Sequence, residues 1–494
     1  MKKRLRRLIR GIFRLAFLAL VTLIGIITVK TVAFSSRQIP VEPVQPVEID
    51  AGAPARLAQA LQFPTIADEV QYDTAVFRRL DTFIHQQFPL LDSNLEVLPV
   101  PALGKVWRWA GKNPKLTPIL LTGHLDVVPV ETSTTEEWTQ PPFEGKTADG
   151  YIWGRGAIDD KSSVFGILEA VSQLIRENYL PERTIYFAFG MDEEIGGQNG
   201  ALQIAAYFKK EGLQFEYTMD EGMLVLENAL DGLQQPLAMI GIAEKGFATL
   251  DLTAHLEEGG HSSMPPKETA IGVLSAAIDR LQNHPFPASI NGVTGQLLSY
   301  IGPEMQFPYK PIFANLWLTH GLIEGLMSGK PSSNATIRTT TAPTVINGGV
   351  KDNVLPSTAT AKINFRILPG NTIASVQEYV KKVIADDRIA VTLSHEGMAN
   401  EASTVSPTNA FGFQVIEKTI RQLFPKAVVA PALVVGATDS RHYHPVCNNI
   451  YRFQPIQLTN PDLQRIHGIN ERISIEGYAQ MIRFYQQLII NSCK

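Results

Sequence analysis

The sequence predicts an α/β fold, interrupted by an α+β unit and preceded by a membrane segment, on three observations. Apolar strand-like runs alternate with helical patterns from about residue 55, the pattern changes after residue 242 and resumes near residue 401, and a cluster of cations followed by an apolar run opens the chain. A chain of 494 residues is too long for one ordinary compact domain, so two or three structural units are expected. The 44 basic against 48 acidic residues give a formal charge of −4, without the basic excess needed to neutralise phosphates, which argues against a nucleic-acid binder. Only Cys447 and Cys493 occur, so disulfides are not the basis of stability.

Taken in order, Lys2, Lys3, Arg4, Arg6, Arg7, Arg10 and Arg14 precede an uncharged, largely apolar run at residues 15–29. A buried core helix is the bland alternative, but cations ahead of an apolar run at the extreme N-terminus mark a targeting segment. With its flanks the run reaches ~20 residues if Arg14 and Lys30 snorkel, and no small-x-small cleavage site follows, so an uncleaved signal anchor is expected. The positive-inside bias then puts the rest of the chain on the non-cytoplasmic side. Pro40, Pro43, Pro46 and Pro54 among polar residues predict an extended tether.

Beyond the tether, residues 116–121 and 184–189 are predicted strands and 161–177 a helix. Val164, Ile167, Leu168, Val171 and Ile175 give that helix one apolar face. After residue 242 the order becomes strand, helix, strand, strand, helix, strand, opening at 247–254 and closing at 389–394, with the first helix at 268–283. The apolar, Pro-containing stretch 285–333 is an excursion from that unit, either a lid or a substrate contact.

His124-Leu125-Asp126, Asp159-Asp160-Lys161, Asp192-Glu193-Glu194 and Met219-Asp220-Glu221 fall where predicted strands end, the place where open α/β sheets gather ligands. Each alone is more often a solvated loop; together, beside Gly154-Arg155-Gly156 and Ile195-Gly196-Gly197, they point to a dinuclear metal site. Two divalent cations ~3.5 to 4 Å apart need one carboxylate between them and further N or O ligands on each. Imidazole with carboxylate suits Zn2+, and Co2+ or Mn2+ would also fit. The paired Glu193 and Glu194 can supply a ligand and a neighbouring proton acceptor.

The blocks Gly123-His124-Leu125-Asp126-Val127-Val128-Pro129, Trp153-Gly154-Arg155-Gly156-Ala157-Ile158-Asp159-Asp160-Lys161 and Asp192-Glu193-Glu194-Ile195-Gly196-Gly197 resemble the signatures of the dizinc metallopeptidase family of aminoacylase, carnosinase and glutamate carboxypeptidase. Gly260-His261-Ser262-Ser263-Met264-Pro265-Pro266, Thr438-Asp439-Ser440-Arg441 and Ile450-Tyr451-Arg452-Phe453 resemble the branch of carboxypeptidase S and the N-fatty-acyl-amino-acid synthase/hydrolase. The resemblance implies a mixed-sheet catalytic domain with an inserted ferredoxin-like lid and dimerisation domain. The boundaries are then 1–38 for the basic N-terminus and anchor, 39–54 for the tether, 55–242 and 399–494 for the catalytic domain, and 243–398 for the insert.

It further implies two zinc ions per chain, held by His124, Asp159 (bridging), Glu194, Asp220 and His467, with Asp126 orienting His124 and Glu193 as general base. His467, in His467-Gly468-Ile469-Asn470-Glu471, is selected by the family pattern over His442 and His444, which would share a face if they lay on a strand. His261 matches a histidine that polarises the scissile carbonyl, in many relatives from the partner subunit; by itself it would be a turn histidine. Arg366 matches the arginine gripping the substrate carboxylate, against an edge-strand surface arginine, and Asn353 another lid residue near substrate. Ser162 departs from the glycine of many relatives and bears on local backbone shape, not on ligation.

The expected function is hydrolysis of an amide bond next to a free carboxylate, in N-acyl amino acids or short peptides, with the reverse condensation on the same site. A catalytically silent receptor keeping the fold is the competing class, and the intact ligand set with Glu193 argues against it. Phe307, Tyr309, Ile312, Phe313, Leu316, Trp317, Leu322, Ile323 and Leu326 would line an acyl-chain groove, or equally form lid core or a dimer contact.

Overall fold

The computed structural model describes residues 2–68, 72–257, 259–394 and 399–493, so the expected junction at residue 398 lies outside the described residues. The N-terminal apolar run is the middle of one helix, α1 (Lys2–Ala33), whose most apolar stretch has a mean hydropathy of 2.5 and is not buried by the body. Residues 34–50 carry neither helix nor strand. They are nevertheless docked and not a free tether: Gln38 exchanges hydrogen bonds of 2.8 and 2.7 Å with the Val429 backbone, and the Val44 N–H donates to the Gln422 carbonyl at 3.3 Å. Spaced prolines remove competing regular structure, and the bare backbone groups between them then pair with the body.

The central mixed sheet contains β1 (Gly104–Trp109), β2 (Ile119–His124), β3 (Ile185–Gly190), β4 (Thr218–Asp220), β5 (Leu237–Glu244), β10 (Val428–Val434) and β11 (Ile450–Arg452), with short strands at its ends; β6 to β9 belong to the second sheet below. Its spatial order is β1-β3-β2-β4-β11-β5, and β10 pairs with β5. The pairs β3/β2, β2/β4, β11/β4 and β10/β5 are parallel, while β1/β3 and β11/β5 are antiparallel. Every residue of β2 and β3 is buried, as strands covered on both faces require. The helix predicted at 161–177 is α2 (Lys161–Arg176), but it is buried well beyond one face because α9 (Ile475–Ser492) packs over it. Its buried Glu169 is matched by the Arg56 guanidinium at 2.6 and 2.7 Å.

The second sheet has the order β7-β8-β6-β9, from β6 (Gly246–His255), β7 (Thr340–Gly348), β8 (Thr358–Ile367) and β9 (Ile389–Leu393), all antiparallel. Burial alternates along β6 and β8, so one face packs on α3 (Ala270–Asn283) and α7 (Ile373–Ile384) in a core of its own. The excursion 285–333 does not join that core. It forms α4 (Gly292–Ile301), α5 (Tyr309–Ala314) and α6 (Leu316–Ser328), and its buried Val293, Leu298, Ile301, Met305 and Ile323 belong to the core of the central sheet.

Candidate metal centre

The four sequence clusters converge because each follows the carboxyl end of a parallel strand or, for Asp159, the turn entering α2. Asp159 is the meeting point. Its Oδ1 lies 2.9 Å from His124 Nε2 and its Oδ2 3.1 Å from His467 Nε2, which is also 3.2 Å from Glu194 Oε1. Potential ligand atoms of His124, Asp159 and Glu221 lie within 4.8 Å of one another, and so do those of Asp159, Glu194 and His467. Asp159 thus serves two donor sets, as a carboxylate between two cations must.

Asp220, expected as the fifth donor, is in neither set among the described residues; the first set contains Glu221. Glu221, the first residue past the end of β4, is the one that lines the cleft. Asp220 is buried under it, with Oδ2 lacking a hydrogen-bond partner among the described residues. His442 and His444 also stay out: residues Asp439–Tyr443 form a 3₁₀ turn, not a strand, and His442 Nε2 sits 3.0 Å from the Gly196 carbonyl.

Two carboxylates hold this geometry from behind. Asp126 Oδ1 and Oδ2 accept the Glu193 and Glu194 N–H groups at 3.1 and 2.9 Å, and Oδ1 lies 3.4 Å from His124 Nδ1. Glu471, whose role the sequence reading did not assign, accepts the Ile158 and Asp159 N–H groups at 2.8 and 3.1 Å on one oxygen. Its other oxygen accepts the Gly156 N–H at 3.0 Å and Arg155 Nη1 at 2.6 Å. The signal was present as the last residue of the His467 block. Ser162 donates to the Ile158 carbonyl at 3.3 Å within the first turn of α2, which accommodates it without displacing Asp159.

The electrostatics fit a polycationic guest. Enclosure pushes the carboxyls of Glu193 and Glu221 well above the usual range and raises Glu194, each reinforced by the neighbouring acids. Asp159 goes the other way: burial alone would raise it, but hydrogen bonds to His124 and His467 hold it below its usual value. Glu194 Oε1 is buried, with His467 Nε2 as its neighbour at 3.2 Å. A set of two imidazoles and three carboxylates, converging on one buried carboxylate, suits divalent metal ions.

These groups open on a cleft of about 410 Å³ that is also lined by Glu193, Arg366, Arg441, Phe247 and Asn400. Arg366, on β8, stacks over the Phe247 ring at 4.8 Å, and burial together with Arg441 lowers its guanidinium pKa from the ordinary value. Arg441 was quoted in the Thr438 block without a role. His261 and Asn353 come together with each other and not with Arg366. His261 is exposed on the strand pair Gly260–His261 and Val354–Leu355, Ser262 N–H donates to the Asn353 carbonyl at 3.2 Å, and neither side chain lines the cleft.

Residues 120–491 match the model of Peptidase family M20/M25/M40. The chain is 42% identical over 474 residues to a probable carboxypeptidase S-like protein of Dictyostelium discoideum, covering 93% of this chain and 90% of that one. It is 39% identical over 442 residues to an N-fatty-acyl-amino acid synthase/hydrolase of Xenopus tropicalis, covering 88% and 85%. An M20 family metallo-carboxypeptidase from Sulfolobus solfataricus shares the fold, with a TM-score of 0.64 at 17% identity over 90% of this chain and 99% of that one. The paired donor sets thus lie inside a matched region that spans most of the chain, and the chain belongs to peptidase family M20/M25/M40, as a metal-dependent hydrolase.

Proposed function

We propose that this chain hydrolyses the amide bond of N-acyl amino acids or short peptides that end in a free carboxylate, at a pair of zinc ions. The observation that carries the reading is the sharing of Asp159 between two donor sets in a cleft that also presents Glu193 and Arg366. His124, Asp159 and Glu221 would hold one ion, and Asp159, Glu194 and His467 the other. When bound, the ions supply Lewis acidity toward the scissile carbonyl and a nucleophile at neutral pH.

The remaining work falls to the chain. Glu193 takes a proton from the attacking water and returns it to the leaving amine, and its raised pKa places it closer to the working range of a base at neutral pH. Asp126 fixes the backbone from which Glu193 projects. Arg366 grips the substrate carboxylate with a planar fork, which sets the position of the scissile bond. His261 and Asn353 would act from a second copy, whose inserted sheet reaches this cleft. The same contacts serve condensation of an acyl group with an amino acid. The relatives named for carboxypeptidase and for fatty-acyl amino acids support these two substrate groups, and α1 supports a membrane-anchored enzyme.

Profiling the purified protein against fatty-acyl amino acids, acetyl amino acids and dipeptides, with metal content measured in parallel, tests the reading. The expected result is turnover of at least one group with about two zinc ions per chain. Turnover unaffected by removal of all metal would overturn it.

A further inference from the structure

The α5–α6 hairpin presents its apolar residues outward. On α6, Leu318, Leu322 and Leu326 are 50%, 54% and 63% exposed, and Trp317 is 52% exposed beside them. At 100° per residue, Leu318, Gly321, Leu322, Gly325 and Leu326 fall in a sector of roughly 140° without a charge. His320 and Glu324 lie outside that sector and face each other at 3.5 Å. Phe307, just before α5, is 85% exposed. Single exposed apolar side chains are ordinary, but a continuous uncharged face has an occupant.

What lies beside this face is α1. Leu23, Ile27, Thr31 and Phe34 are the half-covered positions in the outer part of that segment and recur at helical spacing. Asn315, at the turn between α5 and α6, lies within 3.4 Å of the Ile27 carbonyl and 3.3 Å of Thr31 Oγ1. Lys30 Nζ stands 5.1 Å from the centre of the Trp317 ring. Phe34 is packed so closely on Gly302 that a Cβ there would meet its ring at 2.6 Å. The docked segment after it, held at Val429 and Gln422, fixes the height at which α1 leaves the body. Ile27, whose carbonyl Asn315 meets, precedes Lys30 by about 4.5 Å of helix, so the turn that opens α6 sits on the apolar side of the Lys30 level.

We infer that the α5–α6 hairpin is a bilayer-embedded element, with Trp317, Leu318, Leu322 and Leu326 in the acyl and headgroup zone of the leaflet that α1 enters. The occupant is phospholipid. A second copy of the chain is disfavoured because the hairpin adjoins α1 at Asn315 and Trp317, and the body leaves the apolar stretch of α1 unburied. An amphipathic helix lying in that zone with Trp at its edge is the expected physical form. The inference rests on the reading that α1 sits in a membrane, and the test separates the two.

The full chain is reconstituted in phosphatidylcholine vesicles containing lipid brominated near the headgroup. Trp107, Trp109, Trp138 and Trp153 are buried, so Trp317 is the tryptophan open to such quenching. A quenched fraction that disappears in Trp317→Phe is expected. Because Cys447 and Cys493 are buried, Leu322→Cys and Leu18→Cys each add one accessible thiol for a polarity-sensitive dye. A lipid-quenched dye at both sites upholds the inference. A lipid-quenched dye at residue 18 with an iodide-quenched dye at residue 322 overturns it while leaving the membrane reading of α1 intact. Water exposure at both sites overturns both. Shielding of residue 322 from lipid and water alike, with disulfide cross-linking between chains, replaces the bilayer by a second copy.

Discussion

Asp220 and Glu221 are neighbours of like charge, and the end of β4 between them separates a candidate metal donor that lines the cleft from a buried acid. Glu221→Gln is therefore expected to drop metal content from about two ions per chain toward one, whereas Asp220→Asn keeps both. Metal analysis of the two purified variants decides, and the opposite pattern would restore Asp220 as the ligand. Glu193→Gln keeps both ions but lowers kcat by about 10²- to 10⁴-fold, the usual contribution of a positioned base. Near-normal turnover would sink that role. Arg366→Ala strands the substrate carboxylate and costs about 2 to 5 kcal/mol of transition-state stabilisation on acids. The check is the ratio of kcat/KM on a substrate to that on its amide: wild type prefers the acid, and the variant loses most of that preference. Arg366→Lys recovers only part, since an ammonium lacks the fork.

At the scale of elements, the helix α8 (Phe411–Leu423) carries a buried Glu417 whose Oε1 has no hydrogen-bond partner among the described residues. Burial pushes its pKa from 4.5 up to about 7, against an opposing hydrogen bond from the Ile39 backbone and the charge of Arg421. Between pH 4.5 and 7 the folded chain holds a proton that the unfolded chain has released, so this group's contribution to stability is lost as pH rises through about 7. Glu417→Gln is expected to remove that slope and to be the more stable form at pH 8, by up to ~3 kcal/mol. Thermal unfolding of both forms at pH 5 and pH 8 measures it; an equal gap at the two pH values would refute it. The helix α2 and both sheets were legible because their periodicities are local properties. The near-complete burial of α2 was not, because it depends on α9, over 300 residues later in the chain.

For the whole molecule, the docked segment after α1 makes the body and its N-terminal helix one unit. The full chain is expected to sediment with membranes and resist alkaline carbonate, while a chain beginning at Arg37 keeps the Gln38 contacts to Val429, is released by alkaline carbonate and turns over a short-acyl substrate normally. Fractionation and activity assays check this. A mature N-terminus at residues 35–40 in protein from the native host would show a cleaved signal peptide instead.

The sequence by itself determined the α/β wiring, the inserted sheet, the apolar N-terminal helix and the residue blocks that meet at the candidate metal centre. These follow from spacing and residue chemistry along short stretches, and the matched family agrees with the resemblance to metallopeptidases of the carboxypeptidase S branch. Only the tertiary structure decided among chemically equal neighbours. Which of Asp220 and Glu221 faces the cleft is set by where β4 ends and the chain turns, and the exclusion of His442 and His444 by a 3₁₀ turn at Asp439–Tyr443 in place of a strand. The excursion 285–333 was ambiguous for the same reason: its apolar residues specify that it must be covered, while long-range packing on the central core and along α1 specifies by what.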